Sequence, residues 1–348
     1  MSTVATAPLG ADDITVDRAW PGRGGDGTVR TVEGRDALGR LRAGTTGPDG
    51  RVTLLPYGVD PRLPALQELA ARPDADLVVH RAGRRAVLRC GESYVKVVRP
   101  GRAAGAAHLS GTARAAGVGA RVAGAAGLAA PRVLEVTDDT VTLSSLPGRP
   151  GHELSDDGSW DDLWDGWATA WTRLQEQPTD PLPALPRHTW EDEATVLRDW
   201  AGRAAAAGLL PTTWTGTVRD VAQQVSARRQ GRLVVTHRDL HDKQLLWDGR
   251  RLGVLDLDTL CLADPVLDPA NLAVHADLRR AQGLWGEQPA ATVAAVAHRV
   301  AAAGGADDDA LRTAELATVA RLVCVYAFRP RWREVVLEWA GRRMRDLS

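Results

Sequence analysis

The spacing of hydrophobic positions along this 348-residue chain changes character part-way through. Between Thr28 and Tyr57 short apolar runs (TVRTVEG, ALGRLRAG, RVTLLPYG) alternate with polar positions. They are bounded by Gly34-Arg35-Asp36 and by Thr46-Gly47-Pro48-Asp49-Gly50, which predicts a small antiparallel sheet. Pro64–Ala71 reads as a short helix ending at Arg72-Pro73. Three strand-like pieces follow, at 77–81, 86–90 and 94–98, then an Ala/Gly-rich helical stretch at 101–129. Pro131–Leu146 reads as a hairpin turning at Asp138-Asp139. Beyond Pro150 the period lengthens. Trp160, Trp164, Trp167 and Trp171 recur at i, i+4, i+7 and i+11, which puts them on one helix face. Further helices are predicted at 190–207, 214–230, 289–303 and 308–342, with a strand–loop–strand insertion at 232–258. The pattern divides the chain into a β-rich N-terminal cap (1–75), a small mixed lobe (76–147) and a large helical lobe (148–348), an α+β architecture.

Composition narrows the function classes. The chain is 44% hydrophobic and 25% charged, with a formal net charge of −1. That balance lacks the basic excess of a nucleic-acid binder. No run approaches the roughly 20 apolar residues of a membrane span. The N-terminal text has no basic and apolar leader, and three scattered cysteines suit a reducing compartment, so the expected location is the cytoplasm. Of the 43 basic residues only Lys96 and Lys243 are lysines. In a chain that writes arginine almost everywhere, each lysine is a candidate for a role that a guanidinium cannot fill.

The densest polar chemistry lies in Val234-Val235-Thr236-His237-Arg238-Asp239-Leu240-His241-Asp242-Lys243-Gln244, followed twelve residues later by Asp256. An apolar strand delivers a tight polar loop, and a second apolar strand delivers another carboxylate beside it. Oxygen donors placed so suit a hard divalent cation. An Asp on the same loop can orient a hydroxyl and accept its proton. The plain alternative, a solvated loop between two strands, leaves the buried flanks and the spacing unexplained. Gly22–Gly27 spells G-x-G-x-x-G, but Trp20-Pro21 precedes it and strand-like residues follow, so it reads as a turn.

The H-x-D-x-H arrangement, with the later Ala263-Asp264-Pro265-Val266-Leu267-Asp268-Pro269-Ala270-Asn271, resembles the small-molecule branch of the protein-kinase-like phosphotransferases. That branch holds aminoglycoside phosphotransferases, choline kinases and maltokinases. In the maltokinase and glucosamine kinase group, glutamine takes the slot of the usual asparagine, as Gln244 does here. The resemblance implies a bilobal fold with the site between a β-rich N-lobe and a helical C-lobe. It also implies ATP and Mg2+ as cofactors and a hydroxyl of a small molecule as acceptor, an aminoglycoside, amino sugar or related sugar-like compound. Carried over residue by residue, Asp239 would be the catalytic base, and Gln244 and Asp256 the magnesium ligands. Lys96 would hold the nucleotide phosphates. Leu143, Ser144, Ser145 and Leu146 fit the hinge that binds adenine. Asp258 is a further metal-side candidate, and Asp264 and Asp268 brace the loop. Arg84 and Arg85 fall on the short phosphate-covering hairpin.

One departure stands out. Relatives carry a glutamate on the helix after the lysine strand, to pair with that lysine. Residues 101–134 contain no Asp or Glu, and His108 lies near the expected place. Lys96 is therefore expected to be positioned by Asp256 and nucleotide, or by an acid from another segment. The same gap motivates a second reading, a nucleotide-binding scaffold without catalysis. A third is a metallohydrolase built on His237, Asp239, His241 and Asp242. Lys96 as an exposed edge lysine, Lys243 as a solvated loop residue, and the tryptophan stripe as core (or, alternatively, a sugar platform) are the structural readings beside these.

Overall fold

The computed structural model describes residues 14–22, 29–47, 49–104, 111–179 and 185–347. Most of the glycine turn at 22–27, and His108, lie outside them. The chain starts with a four-stranded antiparallel meander: β1 (Thr15–Pro21), β2 (Arg30–Arg35), β3 (Leu41–Thr46) and β4 (Val52–Leu54). A bulge between Val16 and Arg18 re-aims the first strand. This meander is anchored on both sides. The Ala19 N–H donates to the Phe328 carbonyl at 2.8 Å, and an Arg329 N–H donates to the Ala19 carbonyl at 2.8 Å. On the other side buried Glu33 takes the ion pair of Arg18 and accepts the His80 N–H at 2.6 Å. The Trp20 ring lies under both Arg81 (5.1 Å) and Arg329 (5.5 Å).

After α1 (Ala65–Ala70) comes a second sheet of β5 (Ala75–Arg81), β6 (Arg85–Cys90), β7 (Ser93–Val98), β8 (Val133–Val136) and β9 (Thr140–Ser144), in the order β5-β6-β7-β9-β8. Alternation decides its faces. Val95 and Val97 are buried with Leu88, so Lys96 between them points to the opposite face. In register Lys96 pairs with Val87 and Val141, which places it mid-sheet and not at an edge. Between β7 and β8 runs α2 (Thr112–Ala125). A Cβ on its Gly119 would meet Leu257 Cβ at 2.5 Å, so only glycine admits this helix so close to the turn after Asp256. The small residues that blur its amphipathic signal are what let it pack there.

The helical lobe opens with β10 (Arg149–Pro150) and α3 (Trp160–Gln175). Trp164, Trp167 and Trp171 have no exposure, so the stripe is core and not a sugar platform. Then follow α4 (Trp190–Ala206) and α5 (Thr212–Ser226), and the insertion β11 (Val234–Thr236), β12 (Leu245–Trp247), β13 (Leu252–Val254) and β14 (Cys261–Ala263). The chain closes with α6 (Leu267–Ala281), α7 (Glu287–Ala303), α8 (Asp308–Tyr326) and α9 (Arg333–Leu347). Helix α4 starts on a capping box, with the Thr189 hydroxyl and the Asp192 carboxylate satisfying each other's backbone N–H. The spacing foretold one helix over 308–342. Instead α8 ends before Pro330, which lacks an N–H and disfavours helix in the residue before it. Helix α6 went unforeseen because it is buried almost all round and so shows no polar face. All three cysteines are buried and free. Among the described residues no helix is long and apolar enough to cross a membrane.

Candidate active site

Strand β11 is fully buried and pairs with β14 through Val235↔Leu262, which fixes where the next residues emerge. The loop then turns sharply, with Arg238 at φ 71°, a left-handed value uncommon for a side chain with a Cβ. Buried Asp268 holds that turn. Its two oxygens accept the His237 N–H at 2.6 Å and the Arg238 N–H at 2.7 Å. Burial pushes the Asp268 carboxyl up, although His237 and the two N–H donors pull it back. Further ties come from the Thr259 hydroxyl, which donates to the His237 carbonyl at 2.8 Å, and from Asn271, which donates to the Leu240 carbonyl. Asp264 braces a different joint, accepting from the Trp190 indole at 3.2 Å and from the Val266 N–H at 3.3 Å.

So braced, the loop presents Asp239, whose side chain is 46% exposed. Arg321 on α8 lies 3.2 Å from its Oδ1 and also donates to Asn271. Three residues further along the loop, Asp242 is buried and clamped by Arg279 of α6 through two bonds of 2.9 and 3.0 Å. Neither arginine was singled out from the sequence, since helix position alone does not mark two of so many.

The hairpin of β12 and β13 brings the other predicted ligands together. Leu245 pairs with Val254, and the Leu255 N–H donates to the Gln244 carbonyl at 2.8 Å, so Gln244 stands beside the residue before Asp256. The Gln244 amide oxygen accepts the His241 N–H at 3.2 Å. Asp256 sits at φ 53°, aimed across the cleft. There Lys96 Nζ lies 3.2 Å from Asp256 Oδ1 and 3.0 Å from Asp258 Oδ2. Burial alone would lower the Lys96 ammonium, but Asp258 and Asp256 outweigh it and hold its pKa above the ordinary value. Burial alone would raise Asp256, but Lys96 holds it below the usual carboxylate range. The missing helix acid thus has a substitute from another segment, and α2 serves instead as a packing surface for the turn that carries it.

Of the hinge residues, Leu143 is buried in the sheet core, and Ser144 accepts the Arg132 N–H at 3.0 Å. Ser145 spends both its N–H (3.2 Å) and its hydroxyl (2.6 Å) on the Glu92 carbonyl. Leu146 packs over Gly253. Lys243 reaches a cavity of about 570 Å3 beneath the N-terminal meander, away from Lys96. The metallohydrolase reading loses its donors. His237 Nε2 is paired with the Leu255 carbonyl (2.8 Å), Asp242 with Arg279, and His241 Nδ1 with the Lys243 N–H (3.2 Å). Among the described residues no three His, Cys, Asp or Glu side chains are arranged to hold a metal.

A profile of the phosphotransferase enzyme family matches residues 67–323. The chain belongs to that family. It is accordingly a small-molecule kinase with the protein-kinase-like fold. Three solved structures of similar fold are a choline kinase from Cryptosporidium parvum, a choline/ethanolamine kinase family protein from Mesorhizobium loti, and a glucosamine kinase. The first has a TM-score of 0.54 at 9% identity, covering 82% of this chain and 92% of that one. The second has 0.50 at 17%, covering 80% and 91%. The glucosamine kinase has 0.50 at 17%, covering 99% and 96%, so its likeness extends through the N-terminal meander. No curated protein matches the sequence.

Proposed function

We propose that the chain transfers the terminal phosphoryl group of ATP, with Mg2+, to a hydroxyl of a sugar-like small molecule, in the class that spans aminoglycosides and amino sugars. The reading rests above all on one observation, the bridge from Lys96 of the small lobe to Asp256 and Asp258 of the large one, beside a braced and accessible Asp239.

The donor set fits magnesium. Asp256 is 54% exposed, and the Gln244 main chain bonds the Leu255 N–H beside it. The Asp256 carboxylate and the Gln244 amide oxygen, which accepts the His241 N–H, are the hard oxygens that would hold the ion with the nucleotide phosphates. When bound, the ion neutralises charge on the phosphate oxygens. The chain's own residues do the rest. Lys96 holds the α- and β-phosphates, and Asp258 would keep Lys96 aimed while Asp256 holds the metal. Asp239 aligns the acceptor hydroxyl and takes its proton. As the acceptor oxygen bonds to phosphorus, the bond to the ADP oxygen breaks. Adenine lies against the segment Leu143–Leu146. ATP and magnesium are cytoplasmic reagents, and we place the reaction there.

Asp239→Asn tests this reading. Turnover should fall at least 1000-fold with ADP affinity unchanged, followed by ATP consumption and by nucleotide titration. Retained turnover would remove Asp239 from the role. The rival reading, a nucleotide-binding scaffold, drew on the absent helix acid, whose place beside Lys96 is now taken by Asp256 and Asp258, and it predicts no ATP consumption with any hydroxyl compound in wild type.

A further inference from the structure

The cavity reached by Lys243 lies between the meander, the start of the large lobe and the ends of α6 and α8. None of the residues assigned to the nucleotide side (Lys96, Leu143–Leu146, Asp256, Asp258) lines it. Its wall is rich in cations. Two of them are already neutralised, Arg18 by Glu33 and Arg279 by Asp242. The others, Lys243, Arg329, Arg331 and Arg35, face the carboxylate of Asp17 as the only other acid on the wall. Among the described residues no carboxylate forms an ion pair with Lys243 or Arg329. Arg329 spends hydrogen bonds on the carbonyls of Ala19 and Phe328. Burial and the neighbouring Arg18 push it down to about 10. Lys243, Arg35 and Arg331 are exposed and Arg329 is partly buried, so the open mouth of the cavity carries four cations against the one carboxylate of Asp17, and an anion there relieves their mutual repulsion.

The cavity is also within reach of the chemistry. Lys243, which lines it, follows Asp239 by four residues on the same loop, and Arg279, also on its wall, clamps Asp242 between them. Trp332 and Tyr326 add the aromatic surface on which a ring can rest.

Building on the kinase reading, we infer that the acceptor carries an oxyanion: one end of a sugar-sized molecule is held by Lys243 and Arg331 in this cavity, while a hydroxyl at its other end meets Asp239. This narrows the sugar-like class proposed above to its anionic members, and sets the cationic aminoglycosides and amino sugars behind them.

The test is calorimetric titration of the full chain, with ADP present, using glucose, glucosamine, glucuronate and glucose 6-phosphate. An oxyanion sugar should bind at least tenfold tighter than glucose or glucosamine, and the last two probes tell a carboxylate from a phosphate ester. Lys243→Gln and Arg331→Gln should each weaken that binding at least fivefold, leaving ADP affinity unchanged. Arg331 is exposed, so its variant reports without threatening the fold. Equal binding of all four, tightest binding of glucosamine, or no effect of either variant overturns the inference. The two proposals fail separately. Oxyanion binding through Lys243 without phosphoryl transfer from Mg-ATP defeats only the kinase reading, whereas transfer to a neutral or cationic sugar in preference defeats only the oxyanion.

Discussion

Arg321 holds Asp239 from another helix, 82 residues away in sequence, with Nη1 3.2 Å from Oδ1. The same guanidinium donates to Asn271, which in turn donates to the Leu240 carbonyl next to Asp239. Arg321→Gln should therefore leave the loop backbone in place but free the carboxylate. The expected result is a kcat lowered by about 10- to 100-fold, or about 1.4 to 2.7 kcal/mol of barrier, with the KM for ATP within twofold of wild type. Steady-state kinetics decide it, and a change confined to the nucleotide KM would contradict the assignment.

Asp258 stands in for the absent helix acid. Asp258→Asn should raise the KM for ATP about tenfold with a smaller effect on kcat, since an Asp256 that held magnesium would leave Asp258 as the remaining partner of Lys96. An unaltered KM would mean that nucleotide alone positions Lys96.

The Lys96–Asp256 pair also sets a pH signature for stability. The Lys96 pKa is raised, so its contribution is complete below the unfolded value of about 10.4 and is lost as pH climbs through the folded one. The Asp256 pKa is lowered, so its contribution is complete above about 3.9 and is lost as pH falls through the folded one. The Tm difference between wild type and Lys96→Met should hold level between about pH 5 and 9.5 and change at both extremes. A difference that drifts steadily across neutral pH would point to other groups.

Asp242 and Arg279 form a buried pair, with side chains 1% and 6% exposed. Removing one partner leaves a charge uncompensated, at a cost of about 3–5 kcal/mol. Replacing both by leucine should recover much of that loss. Urea unfolding of Asp242→Leu, Arg279→Leu and the double variant measures the coupling, and strict additivity would show that the two act independently.

Gly119 permits α2 to rest on Leu257. Gly119→Val should cost about 1–3 kcal/mol through overpacking and displace the turn that follows Asp256. Both a lower Tm and a weaker ATP affinity are expected, read by thermal unfolding and nucleotide titration.

Much of this was legible in the residues. Lys96 mid-strand, the loop from His237 to Gln244 and the carboxylate twelve residues on are local patterns, and strand alternation with tight loops carries local information. The tryptophan stripe read as core for the same reason. What escaped depended on tertiary placement. Arg321, Arg279 and Asn271 matter because of which helix ends beside which loop, and no spacing rule relates them to Asp239 or Asp242. Helix α6 was hidden because burial on all sides removes the periodic contrast that marks a surface helix. Asp258 was legible as an acid near the metal side, but its hold on Lys96 needed the two lobes assembled.

The anchorage of the N-terminal meander bears on how the cleft admits its reactants. A main-chain bond to Phe328 and the Arg329 guanidinium tie Ala19 to the large lobe, while Glu33 grips His80 of the small lobe, and Trp20 is wedged under one arginine from each. The two lobes are thus strapped together at a second point besides the connecting segment at Leu143–Leu146. A clamshell swing of the lobes would have to break one of these grips, so the meander limits how far the cleft can open.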